Sequence, residues 1–135
     1  MDYLLVLAKR FQEQHNEFPE SRPGWIYFIH APHSLAVKIG YTKNQFIKRL
    51  GELQTGSAEP LKLLGKIPGN DAFERTLHEA FDNGLQGEWF GVSNSLREFL
   101  RAVLAIEIPG ENFHPDLWNC HPWNGTPAVR EVQSW

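Results

Sequence analysis

The sequence predicts a small α+β domain in which a three-stranded antiparallel sheet is flanked by helices. Short runs rich in β-branched and aromatic residues alternate with segments that have helical periodicity. The chain has 135 residues, enough for one hydrophobic core but not for a second full domain. Residues 107–135 are rich in proline and tryptophan with little periodicity, so an irregular C-terminal tail is expected.

Residues 1–22 are predicted to form an amphipathic helix followed by a linker. Apolar residues recur at helical spacing from Leu4 to Phe11, and Asp2 is a suitable N-cap. The helix is expected to end near His15, because Pro19 then marks a linker.

A hairpin and a third strand are predicted to form the sheet. The runs WIYFI, from Trp25, and LAVKIGY, from Leu35, are joined by a short loop that contains Pro32. Both runs are nearly continuously apolar, so both faces of the hairpin are expected to be covered. The run LKLLGKI, from Leu61, is predicted to be the third strand, and GEWFGV, from Gly87, a short strand-like or turn element.

Three further helices are expected in the rest of the domain. Their predicted bounds are residues 44 to about 53, 70 to about 82, and 95 to 104. The last helix is expected to start at Ser95, which forms a capping-box pattern with Glu98.

Charge is distributed unevenly along the chain. The net charge is −3, but residues 33–66 contain six basic and two acidic residues, and the remainder carries −7. This asymmetry predicts one positive face, suited to an anionic ligand such as nucleic acid. A chance cluster of solvated lysines explains the same counts equally well.

The composition also indicates where the protein works. No apolar run approaches the roughly 20 residues that span a bilayer, and the N-terminus does not have the pattern of a secretory signal. Cys120 is the single cysteine, which agrees with a reducing compartment. A cytoplasmic location without membrane association is therefore expected.

Five scattered residues have side chains that phosphodiester hydrolysis could use. A glutamate can ligate a divalent cation, an arginine matches the charge of a phosphoryl transition state, and a phenol beside an ammonium ionises more readily. Each of these residues taken singly has an ordinary structural explanation, as a core tyrosine or as a solvated helix residue. The five candidates are Tyr27, Lys38, Arg49, Glu74 and His78.

Together with their neighbours, these residues resemble the motifs of the GIY-YIG endonuclease superfamily. The matching runs are Trp25-Ile26-Tyr27, Lys38-Ile39-Gly40-Tyr41-Thr42, Arg49, Glu74-Arg75-Thr76-Leu77-His78 and Gly87-Glu88-Trp89-Phe90. The likeness is closest to a small branch, common in phage and prophage proteins, whose second motif reads KIGYT and which closes on GEWF. The resemblance implies a GIY-YIG-like nuclease domain over residues 23–106.

The resemblance implies a role for each matching residue. Tyr27 would activate the attacking water, and Lys38, in place of the second motif's tyrosine, would lower the pKa of Tyr27. Arg49 would contact the scissile phosphate, and Glu74 would hold Mg²⁺ or Mn²⁺. His78 would position substrate or transfer a proton. The residues expected to bind nucleic acid are Gly40, Thr42, Lys43, Lys48 and Arg49. A late asparagine that supports the metal site in some members has no clear match, and neither Asn94 nor Glu88 is a safe substitute.

The function expected from this resemblance is metal-dependent hydrolysis of DNA, single- or double-stranded, that leaves 5′-phosphate and 3′-hydroxyl ends. The alternative is a weak or inactive module on the same scaffold that binds DNA or a host protein. A protein partner or a homodimer is a further expectation, through the N-terminal helix or the tail.

Overall fold

A computed structural model of the chain describes residues 2–18, 24–43, 46–81 and 88–104. The predicted tail lies outside these ranges, as does most of the predicted linker. The elements in chain order are α1 (Asp2–Glu17), β1 (Trp25–Ala31), β2 (Ala36–Thr42), α2 (Phe46–Thr55), β3 (Lys62–Pro68), α3 (Asp71–Ala80), β4 (Trp89–Gly91) and α4 (Asn94–Val103). The predicted α+β fold class is confirmed.

The sheet has four antiparallel strands in the order β3-β1-β2-β4, so the prediction of three strands is wrong. The additional strand is β4, which lies within the GEWFGV segment and pairs with β2 from Ala36↔Gly91 to Lys38↔Trp89. At three residues it is too short to show the alternating pattern of a strand. Its strand character comes from the pairing with β2 rather than from its own sequence.

The predicted hairpin of β1 and β2 is confirmed, with Trp25 opposite Thr42 and Tyr27 opposite Gly40. All seven residues of β1 are buried, because β1 lies between β3 and β2 and both its faces are covered. On its other side, β1 pairs with β3 and places Lys66 opposite Tyr27. A register shift between Phe28 and Ile29 interrupts this second ladder.

Helices α1, α3 and α4 cover one face of the sheet, which we call the three-helix face. Its core combines residues of β1 and β2, such as Phe28 and Ile39, with Leu4 of α1, Leu77 of α3 and Phe99 of α4. None of the helices that the structure describes has the length and apolarity that crossing a bilayer requires.

The opposite face, which we call the α2 face, carries a smaller apolar cluster. Tyr27, Ile29, Ala31, Leu61 and Leu63 form it, and Leu53 of α2 and Trp89 of β4 pack against it. Because side chains alternate along a strand, Lys38 and Gly40 point to the same face as the Tyr27 and Ile29 residues that they oppose. The candidate residues of the two central strands are therefore gathered on the α2 face.

Two helix starts test the capping predictions. Asn70 caps α3, since its side-chain oxygen accepts a hydrogen bond from the Phe73 amide at 2.8 Å. The prediction that Ser95 starts the last helix is wrong. Ser93 is the cap, and its hydroxyl accepts from the Leu96 amide at 3.2 Å.

Helix α1 is confirmed and extends two residues beyond His15. It packs Leu4 and Ala8 into the main core but leaves Tyr3 and Val6 about half exposed. The division into residues 1–22, 23–106 and 107–135 stays a prediction, and so does a homodimer through this helix.

Candidate functional site

Tyr27 lies directly over Gly40, at the middle of the central hairpin. A Cβ atom at position 40 would collide with the ring and hydroxyl of Tyr27. Gly40 is therefore needed so that the Tyr27 ring and hydroxyl can lie against the backbone of β2. Tyr27 is 1% exposed in this position.

Lys38 lies two residues before Gly40 on the same face of β2 and is also buried. Its ammonium nitrogen is 2.5 Å from Oε2 of Glu88, the residue that precedes β4. It also lies 5.7 Å from the centre of the Trp89 ring, within the range of a cation–π contact. Lys38 is thus held between a carboxylate and an aromatic ring.

Glu88 belongs to a cluster of three side chains that could ligate a cation. One ligand atom each from Glu74, His78 and Glu88 lie within 4.8 Å of one another, and all three residues are half-buried. Glu74 and His78 come from successive turns of α3, where residues four apart are neighbours. Glu88 arrives from the start of β4, and its backbone carbonyl accepts a hydrogen bond from the Ile39 amide at 3.0 Å.

His78 has a defined orientation in this cluster. Its Nε2–H donates to the Ile39 carbonyl at 2.8 Å, because a carbonyl oxygen can only accept. Its ring also contacts Phe90, with a centroid separation of 5.1 Å. A neutral His78 with this hydrogen bond carries its lone pair on Nδ1, and histidines that ligate metals are commonly oriented by such a backbone contact.

The carboxyl of Glu74 is in an environment that disfavours its charge. Partial burial raises the pKa of Glu74, and the nearby Glu88 carboxylate raises it further, while His78 and Lys38 oppose this shift. The pKa of Tyr41 is also raised, first by burial and then by the negative charges of Asp71 and Glu74. Two carboxylates held together with partial burial form a site where a divalent cation would be stabilising.

Lys66 of β3 provides a second buried ammonium on the α2 face. It lies opposite Tyr27 in the β1–β3 ladder and is 6% exposed. Its ammonium nitrogen is 4.1 Å from the centre of the Trp25 ring. Tyr27 is therefore flanked by Lys66 on one neighbouring strand and, diagonally, by Lys38 on the other.

The remaining predicted site residues lie around this centre. Thr42 ends β2 and is half-buried, and Lys43 follows it and is exposed. Lys48 and Arg49 are on α2, and their side chains lie outside the described part of the chain. The basic segment is not one exposed positive face, because Lys38 and Lys66 are buried.

Comparison with known proteins identifies the family. The model of the T5orf172 domain matches residues 24–107. The chain belongs to the T5orf172 domain family. T5orf172 domains are phage-associated and related to endonucleases. Neither a curated protein nor a solved structure matches this chain.

The structure of this T5orf172 domain adds two candidate residues to those that the sequence singled out. Glu88 stands in the GEWF run, but only the pairing of β4 with β2 brings it to Glu74 and His78. Lys66 contributes only to the charge of the basic segment when the sequence is considered alone. Its burial on a strand is the relevant signal, because a lysine is almost never buried without a partner.

The T5orf172 cluster has a donor set that fits a divalent cation. Two carboxylates supply the hard oxygen ligands that Mg²⁺ and Mn²⁺ prefer. The imidazole nitrogen of a histidine favours Mn²⁺, the transition metal, over Mg²⁺. A carboxylate has two oxygens, so Glu88 can bind Lys38 through Oε2 and still offer an oxygen to a cation.

Proposed function

We propose that this T5orf172 domain hydrolyses phosphodiester bonds of DNA with one divalent cation held by Glu74, His78 and Glu88. The observation that carries the proposal is the convergence of their three ligand atoms within 4.8 Å, beside the buried Lys38. The family's relation to endonucleases supports the reaction class. The resemblance of the motifs to GIY-YIG enzymes supports the same class.

Tyr27 is the proposed base that takes a proton from the attacking water. Its hydroxyl lies over Gly40. The carbonyl of the preceding residue, Ile39, binds His78 of the candidate metal cluster. The phenol and the cluster therefore contact adjacent residues of β2. In the strand register, Lys66 lies opposite Tyr27 on β3 and Lys38 lies diagonally from it on β2. Lys38 is proposed to favour the ionised phenol, as a neighbouring ammonium does. As water attacks phosphorus, the bond from phosphorus to the 3′ oxygen breaks, and the departing oxygen takes a proton from solvent, which yields 5′-phosphate and 3′-hydroxyl ends.

The cation and the arginine complete the proposed mechanism. A bound Mg²⁺ or Mn²⁺ would polarise a phosphoryl oxygen and neutralise developing charge. Glu74 and Glu88 would hold it, and the hydrogen bond to Ile39 would fix the imidazole of His78 toward it. Arg49 on α2 is proposed to contact the scissile phosphate, and Thr42, Lys43 and Lys48 are proposed to bind the strand.

The experiment that tests this function compares wild type, Glu74→Gln and Glu79→Gln. Labelled single- and double-stranded DNA is incubated with each protein in Mg²⁺, in Mn²⁺ and in EDTA. Glu79 is exposed on the same helix, so its variant is a matched control for loss of one carboxylate. We expect metal-dependent cleavage by wild type and the control, and a loss of at least about 100-fold in Glu74→Gln, the scale of removing one group that stabilises developing charge.

Cleavage by Glu74→Gln at the control rate would refute the proposed metal site. Cleavage in EDTA would refute metal dependence. The two DNA forms in the assay also identify the preferred substrate.

The burial of Tyr27, which is 1% exposed, favours a second candidate function: binding of DNA without cleavage. A covered phenol cannot reach a water unless the surrounding side chains move. Under this alternative, DNA binding would weaken with rising salt, as expected for phosphate contacts, while no metal would produce cleavage.

A further inference from the structure

A cavity of about 500 Å³ opens on the α2 face, between the turn of the central hairpin, α2 and Trp89 of β4. This volume is within the range of small-molecule sites, about 300–1,000 Å³. Trp89 of β4 and Leu53 of α2 form two of its walls. It is also lined by Ala31 and Ala36 of the hairpin strands, Ser34 of the hairpin turn, Glu52 of α2, and Ala58 and Glu59 of the segment before β3.

Trp89 connects this cavity to the metal centre. It lines the cavity, and its ring is 5.7 Å from the Lys38 ammonium. The preceding residue, Glu88, is one of the three candidate ligands. Lys38, which contacts both the Trp89 ring and the Glu88 carboxylate, therefore links the cavity to the candidate metal centre.

The lining chemistry selects a flat, neutral ligand over a phosphate. The inner lining is apolar and includes two small residues, Ala31 and Ala36. The rim carries Glu52 and Glu59, whose charges would exclude a phosphate from the cavity itself and keep the phosphates of a bound strand outside this rim. An aromatic wall, small apolar residues and a negative rim suit an aromatic heterocycle, whose face stacks on the Trp89 ring.

We propose that this cavity binds one unstacked nucleobase of the DNA strand whose phosphate lies at the metal centre. The inference rests on the proposed function, because it takes the strand from that site. Trp89 is the stacking platform, and the Ser57–Glu59 segment also lines the cavity. The hydroxyl of Ser34 is bound to Glu59, which keeps this rim in place against the hairpin turn.

The test measures binding in EDTA, where the proposed reaction does not occur. Kd values are determined for a labelled single strand of DNA and for an abasic strand with the same number of phosphates. Their ratio reports the contribution of the bases, because both strands carry the same charge. We expect wild type to bind the base-containing strand about 5- to 150-fold more tightly, the scale of one stacked base.

Two variants address the cavity and one is their control. Ala58→Leu fills the cavity from an exposed lining position, and Trp89→Leu removes the ring; both are expected to reduce the ratio toward one. Ala102→Leu makes the same change as the first variant at an exposed position of α4, on the three-helix face, and should keep the wild-type ratio. Residue 58 is exposed and lies outside the helices and strands, so Ala58→Leu is expected to fold like wild type even if Trp89→Leu does not.

The outcomes separate this inference from the proposed function. A ratio unchanged by Ala58→Leu and Trp89→Leu would overturn the nucleobase site, while metal-dependent cleavage by wild type would leave the proposed function intact. Equal binding of the base-containing and abasic strands by wild type would also overturn the nucleobase site and leave the proposed function intact. Absence of binding to either strand would also overturn the nucleobase site, and the cleavage assay with metal would then decide the proposed function by itself.

Discussion

The two ends of the central hairpin hold glutamates in opposite environments. At the turn end, Glu59 accepts hydrogen bonds from the Ser34 hydroxyl at 2.5 Å and from the amides of His33 and Ser34 at 2.9 and 3.3 Å. These bonds, the Ser34 hydroxyl first, lower the pKa of Glu59. At the open end, burial and Glu88 raise the pKa of Glu74.

This difference separates a structural carboxylate from a candidate functional one. The hairpin turn donates hydrogen bonds to the Glu59 carboxylate and so stabilises its negative charge. The same bonds attach the turn to the segment before β3. Glu74 is placed beside another carboxylate, an arrangement that costs stability unless a cation joins it. Perturbed carboxyls of the second kind are typical of functional sites.

The largest expected effect is stabilisation by Mn²⁺ at the open end. At a concentration of 100 times its Kd, a ligand that binds only the folded protein adds about 2.7 kcal/mol to the free energy of unfolding. We expect thermal unfolding with and without Mn²⁺ to show this gain in wild type and in Glu59→Gln. Glu74→Gln should lose it, and an equal gain in all three proteins would remove the distinction between the two glutamates.

The next effect concerns two glycines, Gly40 inside β2 and Gly56 directly after α2. Gly40→Ala should lower the free energy of unfolding by about 1–3 kcal/mol, because the new methyl group displaces the Tyr27 ring. Gly56→Ala is the control: its nearest atom would be the Glu52 carbonyl oxygen at an ordinary 3.6 Å. Its stability should be unchanged or higher by up to about 1 kcal/mol, measured by urea unfolding. Equal losses would show that Gly40 is not a special contact.

The hairpin and its central glycine show how far the sequence alone can lead. Two apolar runs with a short Pro-containing loop indicate β1 and β2, and their continuous apolar character indicates that both faces are covered. The pairing of Tyr27 with Gly40 depends on the register of the two strands. The loop length and the turn conformation together fix that register, and the sequence does not reveal the turn conformation. Leu35 in this turn has a φ of 54°, a conformation that its residue type does not predict.

The site was predictable where its residues share one element. Glu74 and His78 are four apart on α3, so helical periodicity alone places them side by side. Glu88 could not be added in this way, since it joins Lys38 across fifty residues through a three-residue strand without a pattern of its own. Ser93 rather than Ser95 caps α4 for a related reason: two serines two positions apart carry the same local signal.

Thermal unfolding at several pH values, in EDTA, distinguishes Glu74 from Glu59 by whether substitution raises or lowers Tm. Glu74, with a raised pKa, contributes stability that is present below the ordinary glutamate pKa of about 4.3 and lost as pH rises through the folded value. Glu59, with a lowered pKa, contributes stability that is present above that value and lost as pH falls. Near pH 7, Glu74→Gln should therefore raise Tm and Glu59→Gln should lower it. Both differences should shrink in acid, and a shared sign would contradict the pKa assignments.

The smallest effect isolates one hydrogen bond at the turn end. Ser34→Ala removes the hydroxyl that makes the largest contribution to the lowered pKa of Glu59, so this carboxyl should titrate at a higher pH. Carbon-13 NMR of the carboxyl group measures the change. Ser57→Ala is the control, because its hydroxyl donates to the backbone carbonyl of Glu59 at 2.9 Å and not to the carboxylate. If Ser57→Ala moved the titration as much as Ser34→Ala, the turn would act through the position of the whole segment rather than through this one bond.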